Sequence, residues 1–183
     1  MASLRPRHAV LTGAPGAGKT TLLDAAAAAG MVTSPEVARE LLRAPGGMEL
    51  RVDDPLGFAE AMAEAHVREF ERHAGSDGPV LFDRGFPDVV GFLDVSGLSV
   101  PDAVDRVCRT LRYSGPVLRA PAWSEIYVQD AERIQDWEQA VASDEAVTAA
   151  WRRYGYDVID MPLMGVNERL EFLQNLLDSP PAS

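Results

Sequence analysis

The stretch Gly13-Ala14-Pro15-Gly16-Ala17-Gly18-Lys19-Thr20, GAPGAGKT, follows directly after the apolar run HAVLT at residues 8–12. It satisfies the pattern GxxxxGK[ST], in which glycines let backbone N–H groups face phosphate oxygens at the start of a helix. The run before it suits a strand that is buried on both faces. Residues 20–29, TTLLDAAAAA, favour a helix that ends at Gly30. This strand, loop and helix order predicts a phosphate-binding loop.

Each part of the loop has a predicted role. Lys19 is expected to reach the β and γ phosphates of a nucleotide, and the Thr20 hydroxyl is expected to bind Mg²⁺. The predicted cofactors are therefore ATP, with GTP as the alternative, and Mg²⁺. The predicted nucleotide-binding residues are Gly13, Ala14, Pro15, Gly16, Ala17, Gly18, Lys19, Thr20 and Thr21.

The sequence as a whole limits the partners that this loop can serve. The net charge of -11 argues against a broad basic surface for nucleic acid or for an anionic membrane. The 183 residues have an ordinary composition, which predicts one domain over residues 1–178 and a flexible tail at 179–183. No apolar run approaches the roughly 18 residues that a membrane span needs, and no secretory segment is recognisable. We expect a cytoplasmic protein whose one cysteine, Cys108, lies in the core.

Strand-like and helix-like segments alternate along the rest of the chain. Further strands are predicted at 31–33, 79–83, 115–119 and 155–160. Helices are predicted to start at an N-cap on Ser34, at Asp54-Pro55 and at Pro101, and to cover 131–154, with an interruption near Ser143-Asp144, and 166–177. Five short strands separated by helices predict an α/β fold in three α/β/α layers around a parallel sheet.

Polar residues that follow parallel strands converge at one edge of the sheet, where ligands bind. Here these residues are Glu36, Asp83, Arg84 and Arg119. Asp83 ends the strand VLFD, so it is expected either to bind Mg²⁺ together with Thr20 or to serve as a helix cap or turn residue. Arg84 is expected to neutralise charge on a transferring phosphoryl group; the alternative is a surface arginine.

Two interpretations of Glu36 stay open. Glu36 follows the second strand and is suited to accept a proton from a hydroxyl acceptor, a role for which Asp83 is the rival. The alternative is a first-turn carboxylate that suits the helix dipole. Arg39, one turn later, is suited either to orient the same acceptor or to pair with an acidic residue.

The polar stretch AWSEIYVQDAER at residues 122–133 falls where nucleotide kinases carry a lid that closes over the phosphates. A lid is therefore predicted near residues 122–140, with Arg133 as its phosphate-binding arginine. Trp123 and Tyr127 either stack on a planar substrate or pack structurally. The predicted catalytic residues are Lys19, Glu36, Asp83, Arg84 and Arg133.

Several segments together resemble a known family. These are GAPGAGKTTLL, SPEVARELL, VLFDRGFPD, APAWSEIYVQDAERIQDWEQAV and YGYDVIDMPLMGVNERLEFL. They resemble AAA-like P-loop proteins related to the ribosylnicotinamide-kinase domain of the bifunctional bacterial NAD-synthesis regulator, over residues 8–175. The resemblance implies a P-loop kinase-like fold with strand order 2-3-1-4-5. It also implies that Glu36 and Asp83-Arg84 lie at the acceptor side, that Arg133 belongs to the lid and that residues 161–163 lie near the base.

These observations favour an ATP- and Mg²⁺-dependent kinase that phosphorylates a hydroxyl of a small metabolite or nucleoside-like acceptor. The partners would then be a nucleoside triphosphate and a small-molecule acceptor. A second hypothesis is a switch that binds ATP or GTP with slow or no hydrolysis; the absence of an NKxD motif for reading guanine counts against a GTPase. A motor-type ATPase is a third and weaker hypothesis.

Overall fold

The computed structural model describes residues 8–127 and 136–178. Its strands are β1 (His8–Gly13), β2 (Val32–Thr33), β3 (Val80–Asp83), β4 (Val117–Ala120) and β5 (Val158–Asp160). Its helices are α1 (Lys19–Ala28), α2 (Val37–Arg43), α3 (Gly47–Asp53), α4 (Pro55–Arg72), α5 (Phe86–Val95), α6 (Asp102–Thr110), α7 (Trp137–Arg153) and α8 (Val166–Asp178).

The strands form one parallel sheet in the order β2-β3-β1-β4-β5. The central strand is β1, in which Val10 pairs with Phe82 of β3 on one side and with Val117 of β4 on the other. The sheet confirms the predicted α/β fold and strand order. Because β1 is central, the phosphate loop that follows it starts at the middle of the carboxyl edge of the sheet.

Every residue of β1 and β3 is buried. Since successive residues of a strand point to opposite faces, both faces of the sheet are covered at its centre. On one face Val10 and Phe82 pack with residues of α4, α5, α6 and α7, among them Phe86 and Trp151. Cys108 lies in this core, as predicted. On the other face, β1 and β3 residues pack against α1 and α8. Helices on both faces confirm the three-layer arrangement.

The start signals for the helices are partly confirmed. Asp54 caps α4, and its Oδ1 accepts a hydrogen bond of 2.9 Å from the Gly57 N–H. The predicted N-cap on Ser34 is wrong, because α2 begins at Val37. The Ser34 N–H instead continues the pairing of β2 with Leu81, and the Ser34 hydroxyl accepts a hydrogen bond of 3.3 Å from the Asp83 N–H.

The predicted interruption of the helix near Ser143-Asp144 is also wrong. Helix α7 continues through both residues and begins after Asp136, whose carboxylate accepts a hydrogen bond of 2.8 Å from the Gln139 N–H. Asp144 does not cap a helix but is buried, and its partner is Arg119. Two helices, α3 and α5, were not predicted; α5 occupies the region after Arg84 that was expected to begin as a loop.

None of the described helices combines the length and the apolar character that crossing a bilayer requires.

Candidate functional site

The phosphate loop leaves β1 through a backbone that only glycine adopts easily. Gly13, Gly16 and Gly18 have φ angles of 112°, 75° and 77°. A Cβ on Gly13 would also lie 2.2 Å from the Ala120 carbonyl oxygen, so the loop and β4 approach each other too closely for any side chain. The glycines of the motif are therefore required by the geometry of this turn.

Lys19 opens helix α1 and is buried, with 8% of its surface exposed. Its Nζ donates hydrogen bonds of 3.2 Å to the Gly13 carbonyl and 2.5 Å to the Ala14 carbonyl. Burial lowers the pKa of Lys19 to about 7, and the nearby Arg84 guanidinium adds to this lowering. The ammonium is thus held inside the loop, where an anionic ligand would stabilise its charge.

A cleft of about 390 Å³ joins the loop to the ends of β2 and β3. Its lining includes Thr20 of the loop, Glu36 after β2, Asp83 at the end of β3, and Arg39 and Arg43 of α2. The structure therefore brings together four of the predicted catalytic residues: Lys19, Glu36, Asp83 and Arg84.

Asp83 is buried, and among the described residues its Oδ1 has no hydrogen-bond partner. Burial, together with the neighbouring Glu36 carboxylate, raises the pKa of Asp83 to about 6. Carboxylate and hydroxyl oxygens are ligands that Mg²⁺ prefers. The unpartnered oxygen of Asp83 and the Thr20 hydroxyl on the same cleft therefore fit the predicted magnesium site.

Arg84 is held between two acidic side chains. Its NH1 donates a hydrogen bond of 2.9 Å to Asp88, and its Nε lies 3.6 Å from the Glu36 Oε1. Burial by itself would lower the pKa of Arg84, but the surrounding carboxylates, led by Asp88 and Glu36, raise it overall. Its side chain is only 16% exposed, so the alternative of a surface arginine is wrong.

Glu36 stands at the N-cap position of α2, but its side chain makes no capping hydrogen bond. Its Oε2 pairs instead with Arg39 NH2 at 3.1 Å, while its other oxygen faces Arg84. The carboxylate thus lies in the cleft between two arginines. Arg39 makes the acidic pairing that was one of its two predicted roles.

Asp88 is a residue of the site that the sequence interpretation missed. One of its oxygens accepts hydrogen bonds from the Thr12 hydroxyl at 2.5 Å and from Arg84, and the other accepts from the Gly85 N–H at 3.0 Å and from Trp151 Nε1 at 2.9 Å. The signal was the spacing in DRGFPD, because Arg84 and Asp88 are four residues apart where the chain enters α5.

Two predicted residues are not brought to the cleft by the described structure. Arg119 makes two hydrogen bonds, 2.9 and 2.8 Å long, to Asp144 and a third of 3.2 Å to Asp160, so its role is to join β4 to α7 and β5. Arg133 and the central part of the predicted lid lie outside the described residues, as does the predicted tail at 179–183. The part of the lid range after residue 135 leads into α7.

The aromatic residues of the predicted lid make intramolecular contacts. The Tyr127 ring packs edge-on against Trp137, with centroids 5.4 Å apart. The Trp123 ring lies 5.9 Å from the guanidinium carbon of Arg169, a residue of α8 that the sequence interpretation did not single out.

Comparison with solved structures shows the same fold in a deoxyadenosine kinase, the NadR protein and a thymidylate kinase. A deoxyadenosine kinase from M. mycoides with dCMP and dCDP bound shares 15% identity at a TM-score of 0.71, over 94% of this chain and 100% of that one. The NadR protein in complex with NR shares 18% identity at a TM-score of 0.71, over 97% of this chain and 53% of that one. Thymidylate kinase from Candida albicans shares 8% identity at a TM-score of 0.67, over 95% and 92% of the two chains.

At these identities the likeness establishes the fold alone. No curated protein sequence matches the chain significantly. A family model described as an AAA domain matches residues 8–169. Since that match spans most of the chain, and the P-loop geometry agrees with it, the protein belongs to this AAA-domain family.

Proposed function

We propose that this protein is a phosphotransferase that moves the γ-phosphoryl group of ATP or GTP to a hydroxyl of a small metabolite or nucleoside-like acceptor. The observation that carries the proposal is the 390 Å³ cleft, which places two carboxylates, Glu36 and Asp83, beside Thr20 of the phosphate loop. Carboxylates that line a cleft beside the phosphate loop suit the activation of an acceptor hydroxyl, which nucleotide binding alone does not require. The deoxyadenosine and thymidylate kinases that share the fold support this interpretation.

The reaction forms a bond between the acceptor oxygen and the γ phosphorus and breaks the bond from that phosphorus to the β-γ bridging oxygen. The products are the phosphorylated acceptor and a nucleoside diphosphate, and the acceptor hydroxyl proton passes to a carboxylate of the cleft. Glu36 is the proposed base, because its side chain is partly exposed to the cleft at 23%. Asp83 is more deeply buried, which suits it better to the magnesium ion.

Two side chains, Lys19 and Arg84, supply positive charge to the transferring phosphoryl group. Lys19 lies within the loop, and Arg84 reaches the Gly13 carbonyl with its NH1 at 3.3 Å. Both are placed to stabilise the negative charge that develops during transfer. When bound, Mg²⁺ supplies further neutralisation of the phosphate oxygens, and Thr20 and Asp83 are the residues that would hold it. Arg133 stays a prediction as the lid arginine.

One observation favours the second hypothesis, a nucleotide-binding switch. The Glu36 carboxylate is already paired with Arg39 and faces Arg84. While both arginines hold the carboxylate, its oxygens are occupied and not available to an acceptor hydroxyl. Under the kinase proposal the acceptor hydroxyl must therefore take a place beside Glu36 while the arginines turn towards phosphate oxygens.

The test is a phosphorus NMR screen of pooled nucleosides and other hydroxyl-bearing metabolites with Mg²⁺ and either ATP or GTP. We expect one pool to give an acceptor-dependent phosphate ester and a matching amount of nucleoside diphosphate. Glu36→Gln should retain nucleotide binding and lose at least about a hundredfold in transfer rate, the usual scale for a general base. Glu49→Gln, an exposed change on α3, is the matched control and should transfer at the wild-type rate.

Two results would count against the proposal. Full activity in Glu36→Gln would remove Glu36 as the base. Nucleotide binding without a product from any pool would favour the switch. Lys19→Ala serves as the background in every assay, because it removes the ammonium of the phosphate loop.

A further inference from the structure

Arg169, in the first turns of α8, is a buried cation without an anionic partner among the described residues. Only 3% of its surface is exposed. Its NH1 donates a hydrogen bond of 2.8 Å to the Ala17 carbonyl of the phosphate loop. Its Nε and NH2 are buried and make no hydrogen bond to the residues that the structure describes. Burial lowers the pKa of this guanidinium, because it removes the charge from water.

The two unpartnered nitrogens of Arg169 belong to the same edge of the guanidinium. Their N–H bonds point in the same direction, so they form a fork that fits two adjacent acceptor atoms. Leaving buried charged donors without acceptors is costly, which is why such groups in native proteins call for an explanation. A ligand that presents two neighbouring acceptors would remove that cost.

The position of Arg169 indicates which part of a ligand would reach it. Glu36 and Asp83 follow β2 and β3, on one side of β1. Trp123 follows β4 and Arg169 lies in the helix after β5, on the other side. A triphosphate in the loop after β1, with its γ phosphate towards Glu36, extends its base in the opposite direction. Arg169 therefore lies on the base side, beside an aromatic ring.

We propose that the Nε and NH2 edge of Arg169 binds the O6 and N7 atoms of guanine, so that the protein selects a guanine nucleotide. Guanine presents two adjacent acceptors on this edge, and arginine pairs with them in a bidentate manner. Adenine presents N7 and an amino donor at N6, which would face an arginine donor. Because both nitrogens are shielded from solvent, this binding requires the side chains that cover them to shift as the base enters.

This inference rests on the proposed function only in placing a nucleotide in the phosphate loop. The test therefore measures binding without any acceptor, by calorimetric titration with GDP, IDP, ADP and 7-deaza-GDP in the presence of Mg²⁺. We expect GDP and IDP to bind roughly ten- to a hundredfold more tightly than ADP, the discrimination that one bidentate pair provides. The 7-deaza analogue, which lacks N7, should lose much of this advantage.

Arg169→Lys keeps the charge and removes the fork, so it should bring GDP affinity down towards that of ADP. Arg152→Lys, an exposed change at the end of α7, is the matched control and should keep the preference. Equal affinity for GDP and ADP in the wild type, full affinity for 7-deaza-GDP, or no nucleotide binding would each overturn the inference. An equal loss for both nucleotides in Arg169→Lys would also overturn it and would indicate a phosphate contact. The analogue series needs no variant, so the test stands even if Arg169→Lys does not fold.

Transfer is measured separately. A guanine preference without an acceptor-dependent product would support Arg169 as the base-reading residue while rejecting the kinase proposal. A product formed equally well from ATP and GTP would support the kinase proposal and reject Arg169 as the base-reading residue.

Discussion

The Asp88 carboxylate accepts hydrogen bonds from four donors, and one of them is the arginine that faces Glu36. Arg84 is also the one residue other than glycine with a positive φ, 67°, in the described parts of the chain. Such a backbone persists only when its surroundings hold it. Asp88 contributes to this by binding both the side chain of Arg84 and the N–H of the next residue, Gly85.

Asp88→Asn should therefore be strongly destabilising. An amide directs an NH₂ group at two of the four donors and leaves the Arg84 charge only partly compensated, so we expect a loss of about 3 kcal/mol or more in the free energy of unfolding. Urea denaturation measures this loss. Asp94→Asn is the matched control, because Asp94 also lies on α5 and pairs with Arg153, but that pair is exposed at 31% and 48%. It should cost less than about 1 kcal/mol. Similar costs at the two positions would refute the role given to Asp88.

Lys19 makes nucleotide binding depend on pH. Its pKa is about 7 in the free protein, against an ordinary value of 10.5, and bound phosphates should raise it again. A group with a higher pKa in the complex takes up a proton on binding. Affinity should therefore be highest below pH 7 and fall, by up to about tenfold per pH unit, as the pH rises above 7.

Calorimetry at pH 8.5, in buffers of different ionisation enthalpy, counts the protons that are taken up. We expect close to one proton per nucleotide, since Asp83, with a pKa of about 6, is already ionised there. In Lys19→Arg the side chain stays charged over this range, and uptake should disappear. No uptake by the wild type at pH 8.5 would show that Lys19 keeps its ordinary pKa.

At this residue scale the sequence predicted most of the side chains that meet, with Arg119 as the exception, but not how they pair. The loop motif and the strand ends predicted the grouping of Lys19, Glu36, Asp83 and Arg84. Asp88 and Arg169 were not predicted, because their hydrogen-bond partners are distant along the chain. Asp88 accepts from Trp151 Nε1, and Arg169 donates to the Ala17 carbonyl.

At the scale of single elements, local signals identified all five strands and failed where a polar residue has a tertiary partner. Aspartate is a common helix-capping residue, but Asp144 lies in the middle of α7, where it is buried and paired with Arg119. Ser34 likewise bonds to the backbone of β3 rather than capping α2. A single sequence does not show these partners, so it favours the local use of each polar side chain.

The junction of β1 with the phosphate loop allows a test that separates backbone strain from steric contact. Gly13 and Gly30 both have positive φ, 112° and 88°, but only Gly13 is confined, because a Cβ there would lie 2.2 Å from the Ala120 carbonyl oxygen. A Cβ on Gly30 would meet nothing within 4 Å. Gly30→Ala should cost about 1–2 kcal/mol of unfolding free energy, and Gly13→Ala about 3 kcal/mol or more, since the clash adds to the strain.

Thermal or urea unfolding of both variants gives the comparison. Because α1 and the loop follow Gly13 directly, Gly13→Ala should also weaken nucleotide binding, whereas Gly30→Ala should leave it unchanged. Equal losses of stability would mean that β1 and β4 can separate at the loop without cost.

At the scale of the whole molecule, positive charge is concentrated where phosphates would lie. The chain has a net charge of -11, yet Lys19 and Arg84 lie together at the edge of the sheet. Asp83, Glu36 and Asp88 lie beside them, so charges of both signs are brought together at this edge. The free protein therefore contains a buried ammonium with a lowered pKa beside a buried carboxylate with a raised one. Such a site lowers the stability of the free protein and favours ligands that bring both phosphate and a divalent cation.

Nucleotide with Mg²⁺ should consequently stabilise the whole fold, and removal of the metal should reduce that effect. A ligand at a hundred times its dissociation constant adds about 2.7 kcal/mol, which for a chain of this size corresponds to a rise in Tm of roughly 5–10 °C. Differential scanning fluorimetry with GTP or ATP measures the rise. EDTA should remove a large part of it, because Thr20 and Asp83 then lose the ion that they share with the phosphates. Lys19→Ala should show almost no rise with either nucleotide. A rise in Tm that persists unchanged in EDTA and in Lys19→Ala would show that the nucleotide binds outside the phosphate loop. That result would also contradict the proposed phosphoryl transfer.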